Sequence, residues 1–465
     1  MINLKNIKNQ KHIDIRLVEI LFYTFPVSFI IGNLILSAHL LLFIILSLVL
    51  IRKQNLTFRV NKLNFIPIIF FLYLFLSTAF QVSDIFDTWS EIWNVDLEEF
   101  PLKDHPTVKS FLLIRFILLV IIIDILFFNK ILNLKKLFLV SLFCTSFVSF
   151  DIIIQYLLGY DIFGLEKLEA ERYSGPFGNE SIAGGYLQRF SLLSFFCFYF
   201  LNIGKKNFNN LLFFFLITIH AVAILLSGNR MPLLIFLFGC FLVFILVKNF
   251  RFIMSLSMAA FISIFFVITA NNQYIGDRYS TFIAEINIFE HLKVKNEEAK
   301  SKMQKESKEK EEVKDVNTKS LFLYGGHGSI YRTSIYMWKT QPLFGYGLKG
   351  FRFKCWEILE KTKDKKYSCS THSHNYYFEL LAEAGIIGFF LIIIFFVIII
   401  KNSFSYFIKI YKKNNLEFYF FIPIFLTFLV EIWPLKSTGS FFTTWNATFI
   451  WIIISILCAM TSSKK

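Results

Sequence analysis

The sequence predicts an all-α, polytopic integral membrane protein with about twelve transmembrane helices and one large loop on the outer side. Three observations carry this: apolar runs recur from end to end, basic clusters mark alternate ends of those runs, and a single long polar stretch comes late in the chain. Of 465 residues, 55% are hydrophobic and 61 are Phe, and the mean hydropathy is +0.58. Length alone would suggest about three soluble domains, but a membrane crossing takes roughly 20 apolar residues and the chain supplies such runs repeatedly. The formal net charge of +15 does not point to nucleic acid. Its Lys and Arg sit in short clusters at the ends of apolar runs, where they set orientation against the membrane lipids.

The expected spans lie near 17 to 32, 34 to 51, 64 to 80, 111 to 129, 137 to 158, 183 to 203, 211 to 227, 231 to 247, 252 to 270, 384 to 400, 418 to 434 and 443 to 460. The first run is followed by a second and lacks a small-residue cleavage site, so it reads as a retained span and not a signal peptide. Lys5, Lys8, Lys11 and Arg16 precede it, and later clusters fall at Arg52, Lys53 and Arg59, at Lys130, Lys135 and Lys136, and at Lys205 and Lys206. Lys248 and Arg251, Lys401, Lys409, Lys412 and Lys413, and finally Lys464 and Lys465 continue the series. Every second connection is thus basic, which places both termini in the cytoplasm and leaves the alternate connections outside. The acidic stretch with Asp84, Asp87, Glu91, Asp96, Glu98, Glu99 and Asp104 then falls outside. Residues 1–270 hold nine spans, 271–375 form the large outer loop, and 376–465 hold the last three.

Within that loop, 293–319 mixes nine Lys with seven acidic residues and few large apolar side chains. It has nothing with which to build a core and reads as a solvated arm. Residues 320–375 are rich in aromatics and glycine, as in a segment that packs. Ser329 to Gln341 reads as a short amphipathic helix stopped before Pro342. Gly345-Tyr346-Gly347-Leu348-Lys349-Gly350 formally satisfies G-x-G-x-x-G but lacks the preceding strand and βαβ unit of a dinucleotide site. A tight turn back towards the bilayer suffices.

Two places concentrate chemistry. Ser227-Gly228-Asn229-Arg230-Met231-Pro232 lies at the outer start of the eighth span. Pro232 suits a first helical turn, and Ser227 or Asn229 is placed to cap it. Helix amides with an adjacent forked cation make a diphosphate site, or else Arg230 is an interfacial anchor. The second place is Thr371-His372-Ser373-His374-Asn375-Tyr376-Tyr377-Phe378, where the polar loop runs into an apolar helix. A helix start disfavours imidazolium and leaves His374 able to accept a proton, as a general base must; a structural hydrogen bond is the plainer role. His372 and His374 with Glu379 or Glu383 lack further clustered ligands, so no metal site is expected. Arg115 and Asp124 lie inside the fourth apolar run, where a charge needs a partner or a cavity, at about 2.5 to 3.5 kcal/mol otherwise. Arg172 is a further outer-loop cation. Cys144, Cys197, Cys240 and Cys458 fall in spans and read as packing residues.

The His374-Asn375 pair, the aromatic run after it, the Leu-x-x-x-x-Gly ending and the Arg230-x-x-x-Leu234 element resemble the O-antigen ligase and polymerase superfamily. Arg332, ahead of Trp338 and the Pro-Leu-Phe-Gly-Tyr-Gly turn, is similar to the family's second arginine. The resemblance implies a glycosyltransferase of the bacterial inner membrane with its active site facing the periplasm, needing no metal or cofactor, that takes a glycan from undecaprenyl diphosphate. It implies that Arg230 and Arg332 hold the diphosphate, with Arg172 and Arg115 as lesser candidates. His374 then activates the acceptor hydroxyl, supported by Asn375. The acceptor is the lipid A core for a ligase, the favoured reading, or a growing carrier-linked glycan for a polymerase. In the oxidising periplasm Cys355 and Cys369 are expected to form a disulfide that braces the approach to His374. A transporter or flippase would instead carry charged or broken helices near the midplane.

Overall fold

The apolar runs fold as helices. The computed structural model describes residues 4–58, 61–81, 105–169, 171–197, 206–286, 327–362, 364, 366–411 and 416–462. The acidic stretch from Asp84 to Asp104, the arm 293–319, and Arg59, Lys205, Lys412, Lys413, Lys464 and Lys465 lie outside the described residues. The first half comprises α1 (Leu4–Tyr23), α2 (Phe25–Ile31), α3 (Asn33–Gln54), α4 (Phe65–Gln81), α5 (Pro106–Leu112), α6 (Arg115–Phe128), α7 (Leu134–Leu158) and α8 (Ala183–Ser194). Then come α9 (Lys206–Leu226), α10 (Arg230–Leu246), α11 (Arg251–Asn271), α12 (Gln273–Ile286), α13 (Gly328–Thr340), α14 (Gly350–Thr362), α15 (Tyr376–Tyr411), α16 (Leu416–Glu431) and α17 (Thr444–Ser462). Among the described residues no strand forms, and the bridges Tyr160–Glu166 and Leu168–Arg172 are isolated.

Among the described residues, eight helical stretches are long and apolar enough to cross a membrane, at Asn33–Gln54, Lys62–Gln81, Pro106–Phe128, Leu134–Leu158, Phe208–Leu226, Lys248–Asn271, Tyr376–Tyr411 and Thr444–Ser462. The other four expected spans fall on shorter or divided helices. The run 17 to 32 is split between α1 and α2 at Thr24, with Pro26 in the first turn of α2. The runs 183 to 203, 231 to 247 and 418 to 434 begin on α8, α10 and α16, which have 12, 17 and 16 residues. Pro423 inside α16 removes one ladder donor, which the surrounding packing tolerates.

Burial sorts the helices into centre and rim. The most apolar window of α17 is 89% buried, against 33% for α3 and 28% for the Lys248–Asn271 stretch, so α17 is the axis of the bundle and α3 and α11 face lipid. Trp451 of α17 is fully enclosed and packs on Phe71 and Phe395. The exposed residues are themselves large and apolar, among them Leu34, Phe143 and Phe252. Such a surface is unstable in water and is what a hydrocarbon solvent requires.

Polar side chains collect at the two ends. At one, Lys53 pairs with Asp14, Lys136 with Glu19, and Asn129 bonds Thr57. Asp124, the acidic residue of the fourth run, accepts from Asn61 at 3.5 Å and Asn64 at 3.3 Å there. At the other, Arg115 donates to Thr444 Oγ1 at 3.0 Å, α13 and α14 pack on α15, and the turn between them also meets α4. That second end is the site end.

α15 is two helices joined by a break. Gly385 holds φ 63° and ψ −170°, a conformation open essentially to glycine alone. The backbone of the Pro342 to Tyr346 turn enters the break: Ile386 N donates to Pro342 O at 2.9 Å and Tyr346 N to Ala382 O at 2.9 Å. Tyr73 Oη caps Ala384 O at 2.7 Å. A Cβ on Gly345 would lie 2.6 Å from the Gly385 nitrogen, and one on Gly347 3.1 Å from Thr78 Cα. The G-x-G spacing therefore serves close backbone approach. The expected span 384 to 400 begins at this break, and a further helical piece, 376–384, precedes it.

Candidate active site

The first half of the site forms around the end of α9. Tyr173 N donates to Leu226 O at 3.3 Å and Tyr279 Oη to Leu225 O at 3.1 Å. These bonds bring the 171–173 loop and α12 against the turn that starts α10. Three guanidinium groups meet there. Gly228, at φ 68°, has Arg278 Nη1 where a Cβ would sit, 2.4 Å away, and Arg172 Cγ at 3.0 Å. Glycine at 228 is thus the condition for the cluster. Arg278 is pushed below its usual range first by burial and then by the positive charges of Arg172 and Arg230. Its Nη1 donates to Glu171 O at 3.4 Å, while the Glu171 carboxylate turns to Lys167 and Tyr173. Arg230, the first residue of α10, lies 5.3 Å from the Phe282 ring. Three like charges gathered around one turn form a place where an anion with several oxygens lowers the energy of the cluster.

Neither Ser227 nor Asn229 caps α10, contrary to the sequence reading. Asn229 is used elsewhere: its Oδ1 accepts from Gly184 N at 3.1 Å and its Nδ2 donates to Ser181 O at 3.1 Å, tying the turn to α8. Ser227 Oγ donates to Ile224 O.

The second half is the turn before α15. Asn375 caps the helix, its Oδ1 accepting from Tyr377 N at 3.0 Å and Phe378 N at 3.3 Å. Its Nδ2 donates to Pro434 O at 2.8 Å and Lys436 O at 3.2 Å. His374 adopts φ 53°, and its carbonyl accepts from Thr438 N at 2.9 Å. The ring stacks on His327 at 4.3 Å, touches His372 at 4.1 Å, and pairs through Nε2 with Ser370 Oγ at 3.1 Å. Burial, then the neighbouring His372 and His327, push His374 down to about 3. Burial, then Lys349 and His327, bring His372 to about 4. Both rings are neutral at neutral pH, and burial is the leading cause.

The approach to His374 is laid along α13. Thr333 Oγ1 donates to Ser368 O at 2.8 Å and Ser334 Oγ to Ser373 Oγ at 3.0 Å. Arg332 Nε donates to Lys366 O at 2.9 Å. Arg332 is thereby engaged with the histidine loop. Cys355 and Cys369 form a disulfide with Cα atoms 5.8 Å apart, inside a small core with Ile330, Met337, Phe351 and Ile358. Glu379 accepts from Phe441 N at 2.6 Å, and Glu383, one helical turn on, is buried with it. Among the described residues no group of three or more His, Cys, Asp or Glu is arranged to hold a metal ion.

The two halves meet through α8. Gly184 touches Asn229 beside Arg230, and five residues on Arg189 donates to Tyr376 Oη at 3.3 Å, two residues after His374. At 1.5 Å per residue that is about 7.5 Å along the helix. Sequence reasoning named Arg230, Arg172, His374 and Asn375 but missed Arg278, His327, Arg189 and Glu431. For Arg278 a signal existed, an arginine in the first amphipathic turns after the ninth span.

Residues 212–393 match the family model described as O-Antigen ligase. No curated protein matches the chain. The matched stretch runs from α9 through Arg230, Arg278, Arg332 and His374 and past the break in α15, and over that stretch the chain is similar to the O-antigen ligase superfamily.

Proposed function

We propose that this protein is an O-antigen ligase-like glycosyltransferase that moves a glycan from undecaprenyl diphosphate to the lipid A core at the periplasmic face of the inner membrane. The observation that carries the reading is the convergence of Arg172, Arg230 and Arg278 at the start of α10, joined through α8 to the turn bearing neutral His374. The acceptor hydroxyl oxygen attacks the anomeric carbon, the bond from that carbon to the diphosphate oxygen breaks, and the hydroxyl proton passes to the His374 ring. Negative charge grows on the leaving diphosphate, where the three guanidinium groups and the amides of α10 stabilise it more than they do the ground state. No metal is required in this scheme. A ring held near 3 is a weak base by itself; an anionic donor beside it raises its proton affinity, so base strength follows donor occupancy. Arg332 orders the loop that carries the base, and Arg115, bonded to Thr444, supports the start of α17.

The test is a deletion strain read on lipopolysaccharide gels with a reconstituted transfer assay. Loss should leave the lipid A core unmodified while carrier-linked polymer accumulates. Arg230→Ala and Arg278→Ala should each lower transfer by about 10²- to 10³-fold, and lysine should rescue poorly because it lacks the forked donor geometry. Core bearing a single repeat would move the assignment to a polymerase; an unchanged glycan with altered solute uptake would move it to a transporter. Loss of activity to a chelator, restored by a divalent ion, would overturn the metal-free scheme.

A further inference from the structure

Beneath the His374 turn lies a set of buried charges that the roles above leave unused. Glu431, the last residue of α16, is the hub. Its Oε1 accepts from Arg189 Nη2 at 2.7 Å and Tyr376 Oη at 2.8 Å, and its Oε2 accepts from Arg189 Nε at 3.1 Å and Lys436 Nζ at 2.6 Å. Arg189 Nη2 also donates to Asn446 Oδ1 at 3.0 Å, with its guanidinium 4.6 Å from the Trp445 ring. The side chains of Arg189, Glu431 and Lys436 are 4%, 1% and 5% exposed.

Apolar contacts would hold helices together here at lower desolvation cost, but they have no direction. A carboxylate with four donors fixes each donor in angle and distance. What it fixes is the loop 432–443. Lys436 reaches in with its ammonium while its carbonyl accepts from Asn375, and two residues later Thr438 N holds the carbonyl of His374. Tyr376 grips the same carboxylate from the other side of the turn. His374 sits between these two attachments in a left-handed conformation, which persists for a residue with a side chain only where the surroundings over-determine it. Arg189 shares α8 with Gly184, which is bonded to Asn229 beside Arg230, so the same network sets the spacing between the histidine and the arginine cluster.

We propose that Glu431, clamped by Arg189 and Lys436, is the positioning residue of the His374 turn. It touches no reacting atom; it sets where the imidazole stands relative to the anion held by Arg172, Arg230 and Arg278. The catalytic consequence rests on the reading of His374 as the base, and the structural part does not.

Hydrogen exchange by mass spectrometry and transfer kinetics on the full-length protein in detergent or nanodiscs test both parts. Glu431→Gln should speed amide exchange in 432–443 and 370–376 by at least about 10-fold and leave α6 and α9 unchanged. Transfer should fall about 10- to 100-fold in kcat, as small misplacements do, with KM for the lipid-linked donor within about 2-fold. Glu431→Asp, which keeps the charge, should recover most of the rate. If Glu431→Gln does not fold, Lys436→Met, which leaves the Arg189 pair in place, carries the same measurements. Unchanged exchange in both segments would overturn the anchor whatever the protein catalyses. Faster exchange with unaltered kcat would overturn the positioning role. A wild-type protein without transferase activity would sink the base assignment and the catalytic part of this proposal with it, while exchange alone would still decide whether Glu431 anchors the turn.

Discussion

His374 combines a left-handed backbone, a half-buried ring and two imidazole neighbours within 4.3 Å. Each property follows from its place between a helix cap and a docked loop. His372 and His374 stand below the ordinary 6.5, at about 4 and about 3, so folding favours their neutral forms. Their contribution to stability is complete above pH 6.5 and is lost as pH falls through the folded values. For the proposed role in catalysis the sign is the same: a histidine base is available as long as the ring is unprotonated. The acid limb of kcat/KM attributable to His374 should therefore lie well below 6.5, and His374→Ala should cost about 10²- to 10⁴-fold at neutral pH. A pH–rate profile measured with matched donor and acceptor checks this, and an acid limb at 6.5 that disappears in His374→Gln would show a solvent-exposed ring instead. His374 was legible because His-Asn before an apolar run is a local pattern. Arg278 carried only a weak local mark, its place just past the ninth span, since its meaning depends on Gly228 fifty residues earlier in the chain leaving room for it.

At the scale of elements, the broken α15 shows what a docked turn can do for a membrane helix. A break inside a span strands amides and carbonyls that lipid will not satisfy. Here the turn 342–346 supplies partners, and Tyr73 supplies a hydroxyl. The turn in exchange gains a rigid seat, and α13 and α14 follow it onto the bundle. Gly385→Ala should therefore destabilise by at least about 2 kcal/mol, from forbidden backbone and from a Cβ only 2.3 Å from Leu343 O. Thermal unfolding in detergent would measure it, and a variant with unchanged midpoint would mean the break relaxes without cost. The short amphipathic helix expected at 329–341 is α13, Gly328–Thr340, because its periodicity and its proline stop are both local. The break at Gly385 was marked only by that glycine at the start of the apolar run, and the turn that fills it lies forty residues earlier in the chain.

For the whole molecule, apolar side chains face outward around the bundle and charged groups gather at its two ends. On the proposed orientation, which rests on the alternation of basic clusters, the lysine-rich end faces the cytoplasm and the site end the outside. Alkaline phosphatase fused after Lys310 should be active, and fusions at Lys205 or the C-terminus inactive. The opposite pattern would turn the protein over and remove the site from the compartment where a periplasmic acceptor is found.

Membrane insertion is close to a sum of local transfer terms along the chain, which is why composition and spacing alone determined the helical class, most span positions and the charge asymmetry between the ends. Residues whose chemistry is advertised by neighbours in sequence, such as Arg230 before Pro232 or His374 beside Asn375, were legible for the same reason. The tertiary structure decided the rest. It brought Arg172, Arg230 and Arg278 from three separate segments around one glycine, turned Arg332 to the histidine loop, seated a turn in the break of α15, and paired Arg189 with Glu431 across 242 residues of chain. A buried charge or an opened helix is costly until its partner arrives, and where that partner lies in sequence is set by packing between helices, which no local pattern records.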